Sequence, residues 1–329
     1  MRARLRQHAF TLWLLAAVLV AVFFPGPGSP GGFLMPELTP KLGVWAIFFL
    51  QGLSLPTREL LAGYKPKRLH LFTLTWNYLW FPILGGVFAY GAGLLPDPEL
   101  KHGFWFLAIL PTTVSSAITF ATISGGSSAN AIFATVFSNL LAVIAVPVLA
   151  VAYLTAGVSV EIPLAPLFGK LALLILFPLL LGQAARFGAP AVAARLSRHG
   201  KRISGGIILF IVHVSFAGSV SAGFLETLSW GALGAVLAGT SLLLAVVSLL
   251  VWWSAGRTGL TAERRKTAFF CASQKSLATG LPMITSIVAA APGLVDPAAA
   301  LIPLMCYHPM QLLLAGWLSG RWSGAGKGA

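Results

Sequence analysis

The chain has 329 residues, of which 57% are hydrophobic and only 9% are charged. A soluble domain carries about 25% charged residues, so this composition excludes an ordinary soluble globular protein. The net charge of +14 does not indicate a nucleic-acid partner, because the basic residues lie in short segments between apolar runs.

Ten apolar runs follow one another along the chain, each long enough to cross a bilayer. No water is available in the bilayer core to satisfy the backbone, so each run is predicted to be helical. We therefore predict one all-α, polytopic membrane domain over residues 1–329. The predicted spans are 8–24, 41–56, 69–94, 102–123, 128–155, 164–186, 203–223, 230–254, 266–290 and 297–320.

The first run follows the basic segment MRARLRQ, as the apolar part of a signal peptide would. No small-residue cleavage motif comes after it, and PGPGSPGG stands there instead. This favours an uncleaved first span over a signal peptide.

The loop charges give the orientation. All but four of the 22 basic residues fall in segments on one side of the predicted membrane. Lys41 and Lys101 lie on the other side, and Lys170 and Lys275 lie within spans. Basic loops stay in the cytoplasm, so we predict cytoplasmic N- and C-termini. We separately expect the protein to lie in the inner membrane of a bacterium.

Ten spans divide into two sets of five, about 8–155 and 164–320. A repeat with an odd number of spans is inserted in opposite orientations, as in the inverted repeats of many secondary transporters. The fourth span then corresponds to the ninth.

These two spans are the least regular in the sequence. Pro111 removes a backbone donor from the fourth span, and Gly280 and Pro282 interrupt the ninth. The polar residues beside them are Thr112, Thr113, Ser115 and Ser116 in the fourth span and Ser273, Gln274, Lys275 and Ser276 in the ninth.

Two interpretations are open for each span. It is either a kinked packing helix whose hydroxyls bond to their own backbone, or a discontinuous helix that builds a substrate and ion site. The matching repeat positions favour the second interpretation, with the broken helices crossing near the midplane.

Lys275 is the strongest candidate site residue. It lies nine residues beyond Lys266, about 13 Å along a helix, and so near the midplane of a core about 30 Å thick. A lysine there costs about 2.5–3.5 kcal/mol on insertion scales, and no span contains an acid that would neutralise it. We predict that hydroxyls and freed carbonyls around Thr112, Thr113 and Ser116 hold the ammonium.

Other polar residues within spans each have a structural explanation. Lys170 lies near a span end, where its side chain can reach the interface. His213 and His308 are either packed histidines or members of a proton path. Asn77 is expected to join helices by a hydrogen bond, and Asn130 either caps the fifth span or faces the fourth.

No nucleotide-binding loop, metal-spaced His/Cys set or Ser-His-Asp arrangement occurs, so no enzymatic step and no cofactor are predicted. Cys271 and Cys306 both fall in apolar runs and are expected to be free thiols.

The chain resembles the bile acid:sodium symporter family, solute carrier family 10. It is most similar to the divergent branch that includes the seventh vertebrate member and bacterial relatives. The resemblance covers nearly the whole chain and implies a panel domain packed against a core domain in which helices 4 and 9 unwind and cross. It rests on FFLQGLSLPTREL, on Asn77 with Pro82, and on PTTVSS, SGGSSANA and SQKSLATGLP.

The resemblance also implies sodium ligands at that crossing. The residues that match in type are Ser116, Asn130, Gln274 and the amide Asn77. Ala117 and Lys275 stand where the family has asparagines, and Phe270 stands where it has a glutamate. A weak sodium site at Ser116, Asn130 and Gln274 and coupling to protons both stay open.

We therefore predict a secondary transporter of a small organic anion that works by alternating access, with Lys275 in the place of a coupling sodium. The alternative is a regulatory or scaffolding membrane protein of the same fold that does not transport. The predicted partners are the organic anion and the lipid bilayer.

Overall fold

The structure is a computed structural model that describes residues 2–54, 63–94, 99–156, 169, 172–223, 226 and 228–324. Within these residues the chain is helical and contains no strand. The helices are α1 (Arg2–Phe23), α2 (Thr39–Ser54), α3 (Lys67–Ala92), α4 (Leu100–Ile109), α5 (Ser115–Ile123), α6 (Ser128–Thr155), α7 (Ala172–Gly188), α8 (Pro190–Ser221), α9 (Trp230–Ala255), α10 (Ala262–Ser273), α11 (Leu277–Ala290) and α12 (Pro297–Gly324).

The long helices make this a polytopic membrane protein. In the described part of the chain, five helical segments are long and apolar enough to cross a membrane, and they lie in α3, α6, α8, α9 and α12. Leu12–Phe23 and Ala172–Gly188 are shorter apolar helices. The ends of two predicted spans, at residues 55–56, 164–168 and 170–171, lie outside the described residues. The count of ten spans and the inverted repeat stay predictions.

Both irregular spans are interrupted, as the sequence predicted, but Gly280 and Pro282 do not form the ninth-span break, because both lie within α11. The fourth span is divided into α4 and α5 by residues 110–114, and the ninth into α10 and α11 by residues 274–276. Leu110 is extended, with φ −68° and ψ 155°, because the ring of the proline that follows it disfavours the helical conformation. Gln274 is also extended, with φ −97° and ψ 148°.

The basic segment before the seventh span is helical, which corrects the prediction of a loop there. α8 begins at Pro190 rather than at residue 203 and continues to Ser221. Proline is well suited to the first helical position, and the alanine-rich segment that follows has high helix propensity. The hydropathy pattern detected only the apolar part of this helix.

A wide π turn lies within α3, over Trp76–Trp80. Pro82 follows it and cannot donate the hydrogen bond that an α-helix requires there. Single π turns in long helices often accompany functional sites.

The chain divides into two compact units, each assembled from three segments. The first comprises Met1–Leu55, Val151–Trp230 and Leu281–Leu301, and the second comprises Pro56–Ala150, Gly231–Gly280 and Ile302–Ala329. The second unit contains both helix breaks. Cys271 and Cys306 are free thiols.

Candidate functional site

The ammonium of Lys275 is enclosed by backbone carbonyls. The residue is fully buried, with 0% of its surface exposed. Its Nζ donates to the carbonyl oxygens of Ala108 at 2.7 Å, Leu110 at 2.7 Å and Asn77 at 3.3 Å. The Phe81 ring centroid lies 4.0 Å from the same nitrogen, within the range of a cation–π contact. No carboxylate lies within 4 Å of it in the described part of the chain.

This arrangement corrects part of the sequence prediction. Freed carbonyls of the fourth span do hold the ammonium, but the hydroxyls of Thr112, Thr113 and Ser116 do not bond to it. Ala108 and Leu110 lie at the C-terminal end of α4, where helical carbonyls have no partner within the helix. The lysine supplies the missing donor at that helix end.

The break in the ninth span is satisfied by neutral groups. The side chain of Gln311 accepts from the Lys275 N–H and donates to the Lys275 carbonyl, both at 2.7 Å. The Ser276 N–H donates to the carbonyl of Pro111 at 2.9 Å, which joins the two breaks directly. The Tyr307 hydroxyl donates to the carbonyl of Ser273 at 3.0 Å. Few backbone groups of this break therefore remain for a ligand.

Two neighbouring residues of α6 support the break in the fourth span. Ser138 Oγ accepts from the Thr112 N–H at 3.4 Å, and the Asn139 amide donates to the Thr112 carbonyl at 2.8 Å. Asn139 Oδ1 also accepts from the Thr279 hydroxyl at 2.9 Å. Asn139 thus links the fourth-span break to the first turn of α11.

Some polar atoms beside the breaks are buried without a partner among the described residues. Ser116 Oγ lies 2.9 Å from Gln274 Oε1 and 2.9 Å from Thr113 Oγ1, but Gln274 Nε2 makes no hydrogen bond. Asn77 Oδ1 and Thr112 Oγ1 are also unpartnered. Buried polar groups are normally hydrogen-bonded, so a donor and two acceptors remain available for a bound molecule.

Four helix ends meet the two breaks. α4 and α10 end there, and α5 and α11 begin there, at Ser115 and Leu277. Helix C-termini carry partial negative charge and N-termini partial positive charge. Two of the three carbonyls on Lys275, those of Ala108 and Leu110, belong to a negative end, whereas Ser116 lies at the positive end of α5 and donates to the side chain of Gln274.

Some predicted site residues lie apart from this network. The Asn130 amide donates to the carbonyls of Gly63 at 2.8 Å and Lys65 at 2.6 Å. In the part of the chain that the structure describes, no hydrogen bond joins it to Ser116 or Gln274. Ser115 is exposed, and Lys170 lies outside the described residues.

The hydroxyls of the ninth span bond locally. Ser273 Oγ donates to the carbonyl of Phe269 at 2.8 Å, and Ser276 Oγ accepts from the Thr279 N–H at 3.1 Å. Both bonds are of the kind that packed or capping hydroxyls make. These two side chains position the break rather than face the ammonium.

The two histidines differ in their surroundings. His308 Nδ1 lies 2.8 Å from the Gln311 amide nitrogen, one side chain away from the Lys275 backbone. His213 lies 3.4 Å from the carbonyl of Ala17. A proton path through either histidine stays a prediction.

Comparison with known proteins identifies the family. The model of the SBF-like CPA transporter family (DUF4137) matches residues 8–324. This chain belongs to that family. It is 33% identical to the putative symporter YfeH of Escherichia coli strain K12, over 95% of this chain and 92% of that protein. It is 30% identical to the sodium/bile acid cotransporter 7 of Danio rerio, over 97% of each chain, and 31% identical to that of Xenopus tropicalis, over 96% of this chain and 91% of that protein.

Family membership and the apolar helices together make the chain an integral membrane protein of a transporter family. The resemblance inferred from its motifs is thereby confirmed.

The sequence did not lead us to predict four of the residues that hold the breaks in place. They are Ser138, Asn139, Tyr307 and Gln311. Asn139 and Gln311 each place an amide in an otherwise apolar span, and an intramembrane polar residue is a signal for a buried partner. Which backbone group each amide satisfies depends on the tertiary fold.

Proposed function

We propose that this protein is a secondary transporter of a small organic anion, with Lys275 as a tethered cation in the place of a coupling sodium. In this proposal ten spans form two inverted repeats, and the substrate site is reached from each side of the membrane in turn. The observation that carries it is the buried side-chain nitrogen of Lys275 at the junction of two broken spans, whose hydrogen bonds among the described residues all go to backbone carbonyls.

The ligands of Lys275 are those that a small metal cation would take. Hard cations prefer oxygen ligands, including backbone carbonyls. Here three carbonyl oxygens and an aromatic face surround a nitrogen that carries the charge. An ionisable residue within a membrane is expensive, and such residues mark substrate and ion pathways.

The charge balance supports an anionic substrate. In this proposal the Lys275 amine is protonated, and no carboxylate of a described residue lies within 4 Å of it. Gln274 Nε2 is an unpartnered donor beside the positive end of α5, and helix N-termini favour anions. We place the acidic group of the substrate near Gln274 and Ser116, with the backbone N–H groups of α5 as further donors.

The two breaks also provide joints for alternating access. Short non-helical segments absorb the changes in backbone angle when a domain moves. The bond from Ser276 to Pro111 ties the two joints together, so we expect them to move as one.

Uptake into proteoliposomes tests the proposal. The full chain is reconstituted and presented with radiolabelled taurocholate, short monocarboxylates and short sulfonates, under sodium, potassium or proton gradients. We expect at least one anion to accumulate above protein-free vesicles, and Lys275→Met vesicles to match the protein-free ones. Uptake of none of these anions would refute the proposal, and if neutral and cationic control solutes are not taken up either, a scaffolding role is favoured. Uptake only of the control solutes would instead show a transporter whose substrate is not an anion.

A further inference from the structure

The second unit contains a groove between α3 and α9 that belongs neither to the helix breaks nor to the proposed substrate site. Its volume is about 740 Å³, within the range of about 300–1,000 Å³ that small-molecule sites occupy. The α3 wall includes Leu71, Trp80 and Ile83, and the α9 wall includes Leu250 and Trp253. These five side chains are exposed, so the groove is open to lipid.

The floor of the groove is closed by a hydrogen bond. Trp76 Nε1 donates to Ser254 Oγ at 3.1 Å, and Ser254 Oγ donates in turn to the carbonyl of Leu250 at 2.6 Å. The floor therefore presents mainly rings and methylenes, and the polar side-chain atoms of Trp76 and Ser254 are hydrogen-bonded. An occupant must be apolar along most of its length.

One end of the groove is basic. Arg68 lines it, is exposed, and makes no hydrogen bond or ion pair with any residue that the structure describes. The nearby arginines are engaged. Arg257 stacks on the Trp253 ring at 3.5 Å, and Arg265 stacks on Trp252 at 3.9 Å and donates to the carbonyl of the same residue at 2.9 Å. Of these three, Arg68 is the cation left for a ligand.

The length of the groove matches one leaflet. Fifteen residues separate Arg68 from Ile83, about 22 Å along a helix. Half of a bilayer, including its polar region, is about 20–22 Å thick. Tryptophan and arginine side chains near the basic end suit the level of the headgroups.

We propose that this groove binds an anionic phospholipid of the leaflet on the basic side. Its phosphate pairs with the Arg68 guanidinium, and one acyl chain lies in the groove between α3 and α9. The planar guanidinium binds a phosphate through two parallel hydrogen bonds. The groove favours this ligand over a soluble anion for two reasons. It is basic at one end, and its apolar part has the length of one leaflet, which a soluble anion would leave empty.

Native mass spectrometry of the full-length protein tests this site. The protein is released from detergent micelles that contain equal amounts of phosphatidylglycerol and phosphatidylethanolamine with identical acyl chains. We expect the phosphatidylglycerol adduct to exceed the phosphatidylethanolamine adduct by about tenfold, because the ammonium of phosphatidylethanolamine neutralises its own phosphate, whereas phosphatidylglycerol leaves that charge for the guanidinium. Equal adducts, or no adduct, would overturn the proposal.

Two variants and a control locate the ligand. Arg68→Gln should abolish the preference for the anionic lipid, and Ile83→Trp should reduce both adducts by filling the groove. Arg195→Gln removes an exposed arginine of α8 that does not line the groove, and it should leave the preference unchanged. A preference that survives Arg68→Gln, or one that Arg195→Gln reduces equally, would contradict the assignment.

Inorganic phosphate added in excess should not displace the lipid. Displacement would indicate a soluble anion site instead. None of these outcomes depends on transport, so the lipid site and the transport proposal are tested independently.

Discussion

The breaks in the fourth and ninth spans face the same physical problem and are stabilised in different ways. Both leave backbone groups unpaired where no water can reach them. The ninth-span break is satisfied by uncharged side chains, chiefly the Gln311 amide. The fourth-span break receives amide support at Thr112, but its α4 carbonyls are satisfied by the Lys275 ammonium.

The difference separates a structural joint from a functional one. A neutral amide fixes the backbone and adds no charge. An ammonium fixes the backbone and also carries a positive charge that attracts an anionic substrate. We therefore expect changes at Gln311 to affect mainly stability and changes at Lys275 to affect mainly transport.

Replacing Lys275 gives the largest expected effect. Lys275→Met keeps the length and apolar packing but removes the charge and two hydrogen bonds of 2.7 Å. Anion uptake should fall about a hundredfold or more while the protein still folds. Lys275→Arg should also fail, because a planar fork does not replace a compact ammonium. The measurements are proteoliposome uptake and elution as a single species in gel filtration.

Lys266, in α10, provides a matched control in the same predicted span. Its Nζ also donates to a backbone carbonyl, that of Ser124 at 2.7 Å, but the residue is only half-buried. Lys266→Met should keep most of the uptake. If Lys275→Met transports as well as Lys266→Met does, the tethered-cation mechanism is wrong.

Replacing Gln311 is expected to have the second largest effect, and it should act on stability. Gln311→Leu leaves the N–H and the carbonyl of Lys275 buried and unpaired, and each such group costs about 1–3 kcal/mol. The free energy of unfolding should fall by about 2 kcal/mol or more, measured by denaturant titration in mild detergent. Ser323→Ala, at the exposed end of the same helix, should change it little. A stable Gln311→Leu protein would show that the amide does not secure the break.

Replacing Tyr307 is expected to lower the free energy of unfolding by less than replacing Gln311 does. Tyr307→Phe keeps the ring beside Phe81, at 6.1 Å between centroids, and removes one hydrogen bond to Ser273. We expect a loss of about 1 kcal/mol in the free energy of unfolding and little change in uptake. Tyr90→Phe, at a side chain that is 75% exposed, is the control and should be neutral in the same titration.

Removing sodium should have the smallest effect. If the α4 carbonyls already hold the Lys275 ammonium, external sodium has little to add at this break. Replacing sodium by potassium should change initial uptake by less than about twofold, the equivalent of a few tenths of a kcal/mol. Steep sodium dependence that Ser116→Ala abolishes would instead support a sodium site at Ser116 and Gln274.

The sequence predicted well those features that the chemistry of a single residue indicates. Pro111 indicated the break in the fourth span, and the position of Lys275 between apolar segments indicated a buried polar site. Pro282 pointed to the correct span but not to the correct place, since it lies within α11 and the break precedes it at residues 274–276. The ligands of that cation were partly mispredicted, because every residue has a carbonyl and only the fold determines which carbonyls lose their partners. The start of α8 was missed because hydropathy reports burial rather than helix propensity.

The carboxylate-free surroundings of Lys275 have a consequence for the membrane potential. Moving one elementary charge through 100 mV changes its energy by about 2.3 kcal/mol. In the proposed mechanism a site that holds a monovalent anion beside the ammonium is neutral and crosses the field freely, but the empty site is positive. If the empty site returns with its positive charge, the membrane voltage either drives or opposes the return. If the lysine first releases its proton, the empty site returns neutral and the cycle is an anion–proton symport. Currents recorded from vesicles during anion exchange, which never requires the empty site to return, and during net uptake, which does, would distinguish the two.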